Sequence, residues 1–149
     1  MPSYVLDTNI IVGYVRGSAF ARRAAQAFAL DASNMFLSFV TVAESESLAL
    51  QLGWGALRIA EMRRHLSVQP VVPTGEAGIL EAYAMIDAAS KSRHPEYPLP
   101  RGASASRMGK NDLWIAATAF VLGADLVTTD GDFDHLNGCF LRVHRLDLT

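Results

Sequence analysis

The chain has 149 residues, of which 50% are hydrophobic and 19% are charged, and its formal net charge is −2. This length and composition predict a globular domain with its own core and exclude a disordered chain. The charge balance gives no general attraction to nucleic acid, so any such signal has to be local. Cys139 is the only cysteine. An intramolecular disulfide is therefore excluded, a cysteine-based zinc site is not expected, and a reducing, cytoplasmic location fits best.

Neither a secretory leader nor a membrane span is predicted. The N-terminus lacks a basic region followed by an apolar run, and charged residues interrupt every long apolar stretch. We therefore expect no membrane partner.

The first half of the chain predicts short strands that alternate with helices. Tyr4–Leu6 is a run of strand formers, and the apolar residues of IIVGYVRG that follow suit a helical turn. Ser18 is a candidate N-cap for an alanine-rich helix, and Met35–Phe39 is a second strand candidate. In TVAESESLALQLG we expect a helix that has Thr41 as its N-cap and ends at Gly53.

The second half continues the alternation. Helices are predicted in GALRIAEMRRHL, GEAGILEAYAMIDAASKSR and NDLWIAATAFVLG, with a short apolar segment, VQPVVP, between the first two. The last helix is expected to bury one face, formed by Leu113, Ala116, Ala117 and Phe120. ADLVTTD and CFLRVHRLDL predict two more strands. Residues 1–149 therefore read as a single α/β domain in which helices flank a mostly parallel sheet.

The segment Lys91–Lys110 differs from the rest because it holds three prolines, two glycines and few residues that suit a core. We expect a flexible loop over about residues 91–110. Five of the 13 Lys and Arg residues lie in it, against the single acid Glu96. Two interpretations stay open: a solvated surface loop, or a loop that contacts phosphates and offers Tyr97 to a stacked base.

Four carboxylates occupy similar positions relative to the predicted elements. Asp7 and Asp130 each follow a strand, and Glu44 and Asp112 lie near the start of a helix. Each has a structural interpretation when it is taken alone. Asp7 and Asp130 suit turns or caps, and Asp112 suits the positive end of a helix dipole. Glu44 completes a capping box with Thr41.

Taken together, the four acids predict a metal site. The carboxyl ends of parallel strands gather along one edge of a sheet, where ligands bind. Carboxylates held close together there would repel one another, and a divalent cation removes that conflict. Because no His or Cys cluster offers softer ligands, we expect Mg²⁺ or Mn²⁺.

At this point a family resemblance is clear. VLDTNI, TVAESE, NDLWIAATAF and LVTTDGDF resemble, in order and spacing, the motifs of PIN-domain nucleases, and in particular of VapC-like toxins from toxin–antitoxin pairs. The resemblance covers nearly the whole chain, and only the long basic loop before Asp112 departs from it. It implies a three-layer α/β sandwich and a metal-dependent endoribonuclease that hydrolyses RNA. It also implies a cognate antitoxin and a homodimer.

The resemblance also implies residue roles. It assigns metal binding and catalysis to one quartet: Asp7, Glu44, Asp112 and Asp130. Asp132 is a second candidate for the last position, ranked below Asp130 because Asp130 directly follows the strand. Asp134 is left to solvent. Thr8, Asn9 and Thr129 are placed to hydrogen-bond the carboxylates.

Other functions fit the sequence less well. A haloacid-dehalogenase-type phosphatase needs a second Asp two residues after Asp7, where this chain has Asn9, and a receiver domain needs an acid that MFLSFVT lacks. A PIN-fold protein that binds RNA or a partner without cutting it, and a nuclease that acts on DNA, remain alternatives.

Overall fold

The computed structural model describes residues 2–31 and 34–147. Its strands and helices follow one another in this order: β1 (Tyr4–Leu6), α1 (Thr8–Val15), α2 (Ala19–Ala27), β2 (Met35–Ser38), α3 (Phe39–Gln51), α4 (Ala56–Ser67), β3 (Val71–Val72), α5 (Ile79–Ser90), α6 (Lys110–Leu122), β4 (Asp125–Thr128) and β5 (Val143–Arg145). A 3-10 helix, Gly131–Leu136, lies between β4 and β5. The predicted alternation of strands and helices is confirmed.

The five strands form one sheet in the order β3-β2-β1-β4-β5, and all of their pairings are parallel. The predicted mostly parallel sheet is therefore confirmed. Parallel neighbours need crossover connections, which the helices supply. Since β1 lies at the centre, the residues that follow it are surrounded by protein, and Asp7 is only 4% exposed.

Helices cover both faces of the sheet, as a three-layer sandwich requires. On one face, Leu6 and Val127 pack with Ile10 of α1 and Met62 of α4. On the other face, a second cluster joins the sheet to α5 and α6; its members include Val5, Leu126, Ile86 and Leu113. Neighbouring residues of one strand thus enter different clusters, because side chains alternate between the faces of a sheet.

The start of α3 differs from its prediction. The strand β2 ends at Ser38 and the helix begins at Phe39, so Thr41 is not the N-cap. The Ser38 hydroxyl accepts a hydrogen bond from the Val40 amide at 3.2 Å and performs that role. Thr41 is instead fully buried in the first turn. The sequence offers two hydroxyl residues three positions apart, and only the end of the paired strand selects between them.

The helix α6 is buried on more than one face. Leu113, Ala116 and Ala117 are buried as predicted, but Ile115 and Ala119 are buried as well. Phe120, predicted to lie in the core, is 37% exposed. Because α6 packs against both the sheet and α5, it has no single apolar stripe to read from the sequence.

Between α5 and α6 the chain has no helix or strand, in agreement with the predicted loop. One residue of this segment, Met108, is nevertheless buried in the core.

In the described part of the chain, no helix combines the length and the apolar composition needed to cross a lipid bilayer.

Candidate metal centre

The carboxyl edge of the sheet brings the four predicted acids to one place. Asp7 and Asp130 follow the central strands β1 and β4, while Glu44 and Asp112 project from α3 and α6. All four line a cavity of about 250 Å³. The structure adds Asp132, whose carboxylate lies close to two of them. These residues are called the carboxylate cluster below: Asp7, Glu44, Asp112, Asp130 and Asp132.

Asp7 is both the N-cap of α1 and a member of the cluster. Its Oδ1 accepts a hydrogen bond from the Thr8 amide at 2.8 Å. Its Oδ2 accepts one from the Thr128 hydroxyl at 2.6 Å. The structural interpretation of Asp7 as a cap is thus correct, and it is compatible with a functional role because both contacts fix the carboxylate in one orientation.

Glu44 does not form the predicted capping box. Its Oε1 accepts a hydrogen bond from the Thr8 hydroxyl at 2.7 Å, and its Oε2 accepts one from the Asn111 side-chain amide at 3.0 Å. The side chain therefore connects the starts of α1 and α6. It cannot cap α3 because the helix begins two residues before Thr41 and Glu44 already lies in its second turn.

Asp112, Asp130 and Asp132 form the tightest part of the cluster. One carboxylate oxygen from each lies within 4.8 Å of the others. The backbone explains part of this geometry, since Asp130 Oδ1 accepts from the Asp132 amide at 2.9 Å and caps the 3-10 helix. Asp130 and Asp132 thus lie side by side in the cluster. The sequence ranked Asp130 above Asp132 as the last acid of the quartet, and the structure places both carboxylates there.

Burial and mutual repulsion perturb the cluster. Burial raises the pKa of Asp7 to about 6, although the hydrogen bonds from Thr128 and Thr8 lower it. Burial also raises the pKa of Asp112 to about 7, and the surrounding carboxylates, first of all Asp7, add to that effect. The charged forms of Asp7 and Asp112 are thus disfavoured in the metal-free protein, and a counter-ion would stabilise them.

The donor set fits a hard divalent cation. Every functional group that converges on the cavity offers oxygen, and Mg²⁺ and Mn²⁺ prefer carboxylate, carbonyl and water oxygens. Within the described residues, the amide oxygen of Asn9 is buried with no hydrogen-bond partner, and Asn9 lines the same cavity. An orphaned buried oxygen beside a cluster of acids is a further group that a hydrated cation would satisfy.

Comparison with protein families gives the fold its name. Residues 4–138 match the family model described as the PIN domain. The chain belongs to the PIN domain family. The resemblance seen in the sequence motifs is thereby confirmed, and a search of curated protein sequences gave no significant match.

Solved structures support the same fold. The chain is similar to VapBC2 from Rickettsia felis bound to a DNA fragment from its promoter, with a TM-score of 0.71, 20% identity, and 97% of this chain and 98% of that chain covered. It is similar to FitAcB from Neisseria gonorrhoeae, with a TM-score of 0.69, 24% identity, and 95% and 96% covered. It is also similar to VapBC-1 from nontypeable Haemophilus influenzae, with a TM-score of 0.65, 26% identity, and 95% and 96% covered.

Two residues that hydrogen-bond the carboxylate cluster of this PIN domain were not predicted from the sequence. Thr128 bonds Asp7 and also accepts the Asp130 amide hydrogen at 3.0 Å, a role that the sequence analysis gave to Thr129. The register explains the difference. Leu6 pairs with Val127, so the next residues, Asp7 and Thr128, face one another. Asn111, which bonds Glu44, was not singled out either, and only its position before Asp112 could have suggested it.

Several residues outside the cluster have structural roles. Asp134 is exposed as predicted but forms an ion pair with Arg145 at 2.7 Å. Glu46 forms an ion pair with Arg63 at 2.8 Å. Tyr97 packs against His94 and Phe140, so its ring anchors the loop.

Proposed function

We propose that this PIN domain is a metal-dependent endoribonuclease and the toxin of a toxin–antitoxin pair. PIN domains are in general metal-dependent nucleases, and the solved chains similar to this one include members of toxin–antitoxin complexes. The observation that carries the proposal is the carboxylate cluster, whose members come together although they lie far apart in the sequence. Four of them, Asp7, Glu44, Asp112 and Asp130, line one cavity.

Each part of the cluster has a distinct task in the proposed reaction. Asp112, Asp130 and Asp132 would hold the cation, because their oxygens lie closest together. Asp7 and Glu44 complete the set, and their hydrogen bonds to Thr128, Thr8 and Asn111 fix them before substrate arrives. Such outer hydrogen bonds orient ligands and tune their basicity.

Phosphodiester hydrolysis is the chemistry that such a site supports best. A divalent ion held there would activate water near neutral pH and stabilise charge on the leaving oxygen of an in-line displacement. Since water is the nucleophile, the ribose 2′-hydroxyl takes no part in the attack. The 3′-oxygen leaves as the bond between it and phosphorus breaks, so the products carry 5′-phosphate and 3′-hydroxyl ends.

The direct test is cleavage of structured RNAs and single-stranded DNA with Mg²⁺, with Mn²⁺ and with EDTA. Asp112→Asn is compared with Asp147→Asn, a matched loss of one carboxylate at an exposed position outside the cluster. We expect RNA cleavage that needs the metal, disappears in Asp112→Asn and persists in Asp147→Asn. Cleavage of DNA alone would show that the protein is a deoxyribonuclease. If the folded protein cleaves neither substrate, the alternative of a PIN-fold protein that binds RNA or a partner without cutting it would be favoured.

The toxin assignment has a separate test in cells. Induced expression of the wild-type chain in bacteria is expected to arrest growth, and Asp112→Asn is expected to abolish the arrest. Growth arrest by both proteins would show that toxicity does not depend on the cluster.

Exposed leucines support the proposed homodimer and antitoxin contacts. Leu50 at the end of α3 is 79% exposed and Leu57 at the start of α4 is 90% exposed. The two leucines lie at the adjoining ends of consecutive helices, and exposed apolar patches commonly mark protein contacts. Leu57→Asp should leave the stability of the fold within about 0.5 kcal/mol, because the side chain contacts little, but should weaken self-association in sedimentation experiments. Unchanged sedimentation would place any dimer contact elsewhere.

A further inference from the structure

A second charged cavity lies at the base of the loop between α5 and α6. It has a volume of about 330 Å³ and is lined by Lys91, Arg93, Ala105, Ser106 and Arg107. We propose that this basic pocket binds phosphate groups of the RNA strand that is cut at the carboxylate cluster. That the ligand is RNA rests on the proposed function, whereas the existence of the pocket rests on hydrogen bonds and charges within the chain.

Hydrogen bonds hold the two ends of the loop together. The Ser106 amide donates to the Ser90 carbonyl at 2.7 Å, and the Arg93 amide donates to the Ala88 carbonyl at 2.9 Å. Next to Arg107, the buried Met108 places its sulfur 3.4 Å from the Ser90 hydroxyl. The backbone on both sides of the pocket is thus attached to the C-terminal turn of α5, which brings cations from opposite ends of the loop to one place.

The positive charge of the pocket is not balanced by neighbouring acids. Lys91 pairs with Asp87 at 3.0 Å. Over residues 2–31 and 34–147, no ion pair to an acid is found for Arg93 or Arg107. Three cations therefore share one carboxylate. A planar guanidinium matches the geometry of a phosphate with two parallel hydrogen bonds, so two unpaired arginines in one cavity suit phosphate groups.

Stabilisation of the α5 dipole accounts for only part of this arrangement. Lys91 and Arg93 directly follow the helix, where a cation interacts favourably with the carbonyl end. Arg107 comes from the far end of the loop and is not needed for that purpose. The helix dipole therefore does not explain why Arg107 lines the same cavity as Lys91 and Arg93.

The pocket lies close enough to the carboxylate cluster to act on the same strand. Ser90 bonds His135 at 2.7 Å, and His135 belongs to the 3-10 helix that carries Asp132. On the other side, Arg107 precedes Asp112 by five residues, a backbone span of at most about 18 Å even if fully extended. A strand at the cluster thus reaches the pocket within a few nucleotides.

The two sites have complementary tasks. The carboxylate cluster repels the backbone of a nucleic acid until a cation is present. A basic pocket beside it supplies the attraction that the cluster lacks and fixes the strand through its phosphates. Such contacts position a nucleic acid without reading its sequence.

The test measures RNA binding in EDTA, where no cleavage occurs. A fluorescent single-stranded RNA of mixed sequence, about twelve nucleotides long, is titrated at increasing KCl. The double variant Arg93→Gln/Arg107→Gln is compared with Arg64→Gln/Arg101→Gln, which removes the same charge at exposed positions, one of them in the same loop. Loss of two phosphate contacts should reduce the slope of log K against log [KCl] by about 1.4 and the affinity at low salt at least about tenfold. The control should keep the wild-type slope.

Cleavage separates this proposal from the function on which it rests. With Mn²⁺, the pocket variant should cut a dinucleotide, whose single phosphate has to lie at the carboxylate cluster, at the wild-type rate. On long RNA it should lose about tenfold in kcat/KM. Equal salt slopes for the pocket and control variants overturn the pocket even if the wild-type protein cleaves RNA. The expected slopes without cleavage by the wild-type protein support the pocket and overturn the nuclease. If the pocket variant loses binding to poly-glutamate but binds RNA as the wild-type protein does, the pocket binds an acidic protein segment and the proposal is overturned.

Discussion

Replacement of Asp7 by Asn should stabilise the metal-free protein at alkaline pH. In the folded chain the pKa of Asp7 is raised to about 6 from an ordinary value of 3.8. The folded state therefore holds the proton more tightly than the unfolded state, and stability falls as the pH rises from about 4 through 6. A shift of about two units corresponds to about 3 kcal/mol of lost stability above pH 7.

Asn removes that penalty but also removes one acceptor. Its oxygen can still accept from the Thr8 amide, whereas its NH₂ group cannot accept from the Thr128 hydroxyl. The lost hydrogen bond costs about 1 kcal/mol. The net gain at pH 8 is therefore about 2 kcal/mol, or a rise in Tm of about 4–8 °C for a chain of this length.

Thermal unfolding followed by circular dichroism in EDTA, from pH 4 to pH 8, tests the reasoning. The advantage of Asp7→Asn should shrink as the pH falls and should vanish between about pH 4 and 5, where the native carboxyl is protonated. Asp147→Asn, which removes an exposed carboxylate, should show no comparable trend. If Asp7→Asn lowers the Tm equally at pH 8 and at pH 5, the carboxylate stabilises the fold as a helix cap. Burial of its charge would then not be the destabilising effect proposed above.

Three further predictions concern the cluster and its reaction. Mn²⁺ affinity measured by calorimetry should fall as the pH drops through about 7, because protons compete with the metal for Asp112. Binding should therefore release protons. An affinity that stays constant from pH 5.5 to 8 would exclude Asp112 as a ligand. Thr128→Val should weaken Mn²⁺ binding or RNA cleavage by about 10–100-fold, whereas Thr129→Val should not, and equal effects of the two would contradict the assigned contact. RNA fragments should carry 5′-phosphate ends in ligation assays, and a substrate with 2′-O-methyl groups should still be cut; 2′,3′-cyclic phosphate ends would show instead that the ribose is the nucleophile.

The order of elements and the position of most acids could be predicted because they depend on local sequence. A run such as Tyr4–Leu6 followed by Asp7 predicts a strand that turns into a helix from neighbouring residues alone. The same holds for the strand before Asp130 and for Asp112 in the first turn of α6. Parallel topology then gathers strand ends at one edge, so the proximity of these acids follows from the alternation of strands and helices.

Contacts within the site could not be predicted, because they depend on register and on distant segments. Thr41 and Ser38 are equally good caps by type, and the end of β2 in the sheet selects Ser38. Glu44 then bonds to Thr8 and Asn111, which lie 36 and 67 residues away. No local pattern contains partners at such separations.

The sequence by itself thus determined the α/β class, the carboxylates at the strand ends and the basic composition of the loop. The tertiary structure decided which threonine faces Asp7, because that depends on how β1 and β4 are aligned. It also decided that Asp132 joins the cluster and that burial raises the pKa of Asp112 to about 7. Secondary structure is largely a local property of the chain, whereas desolvation, charge repulsion and hydrogen bonding between segments exist only once the chain is folded.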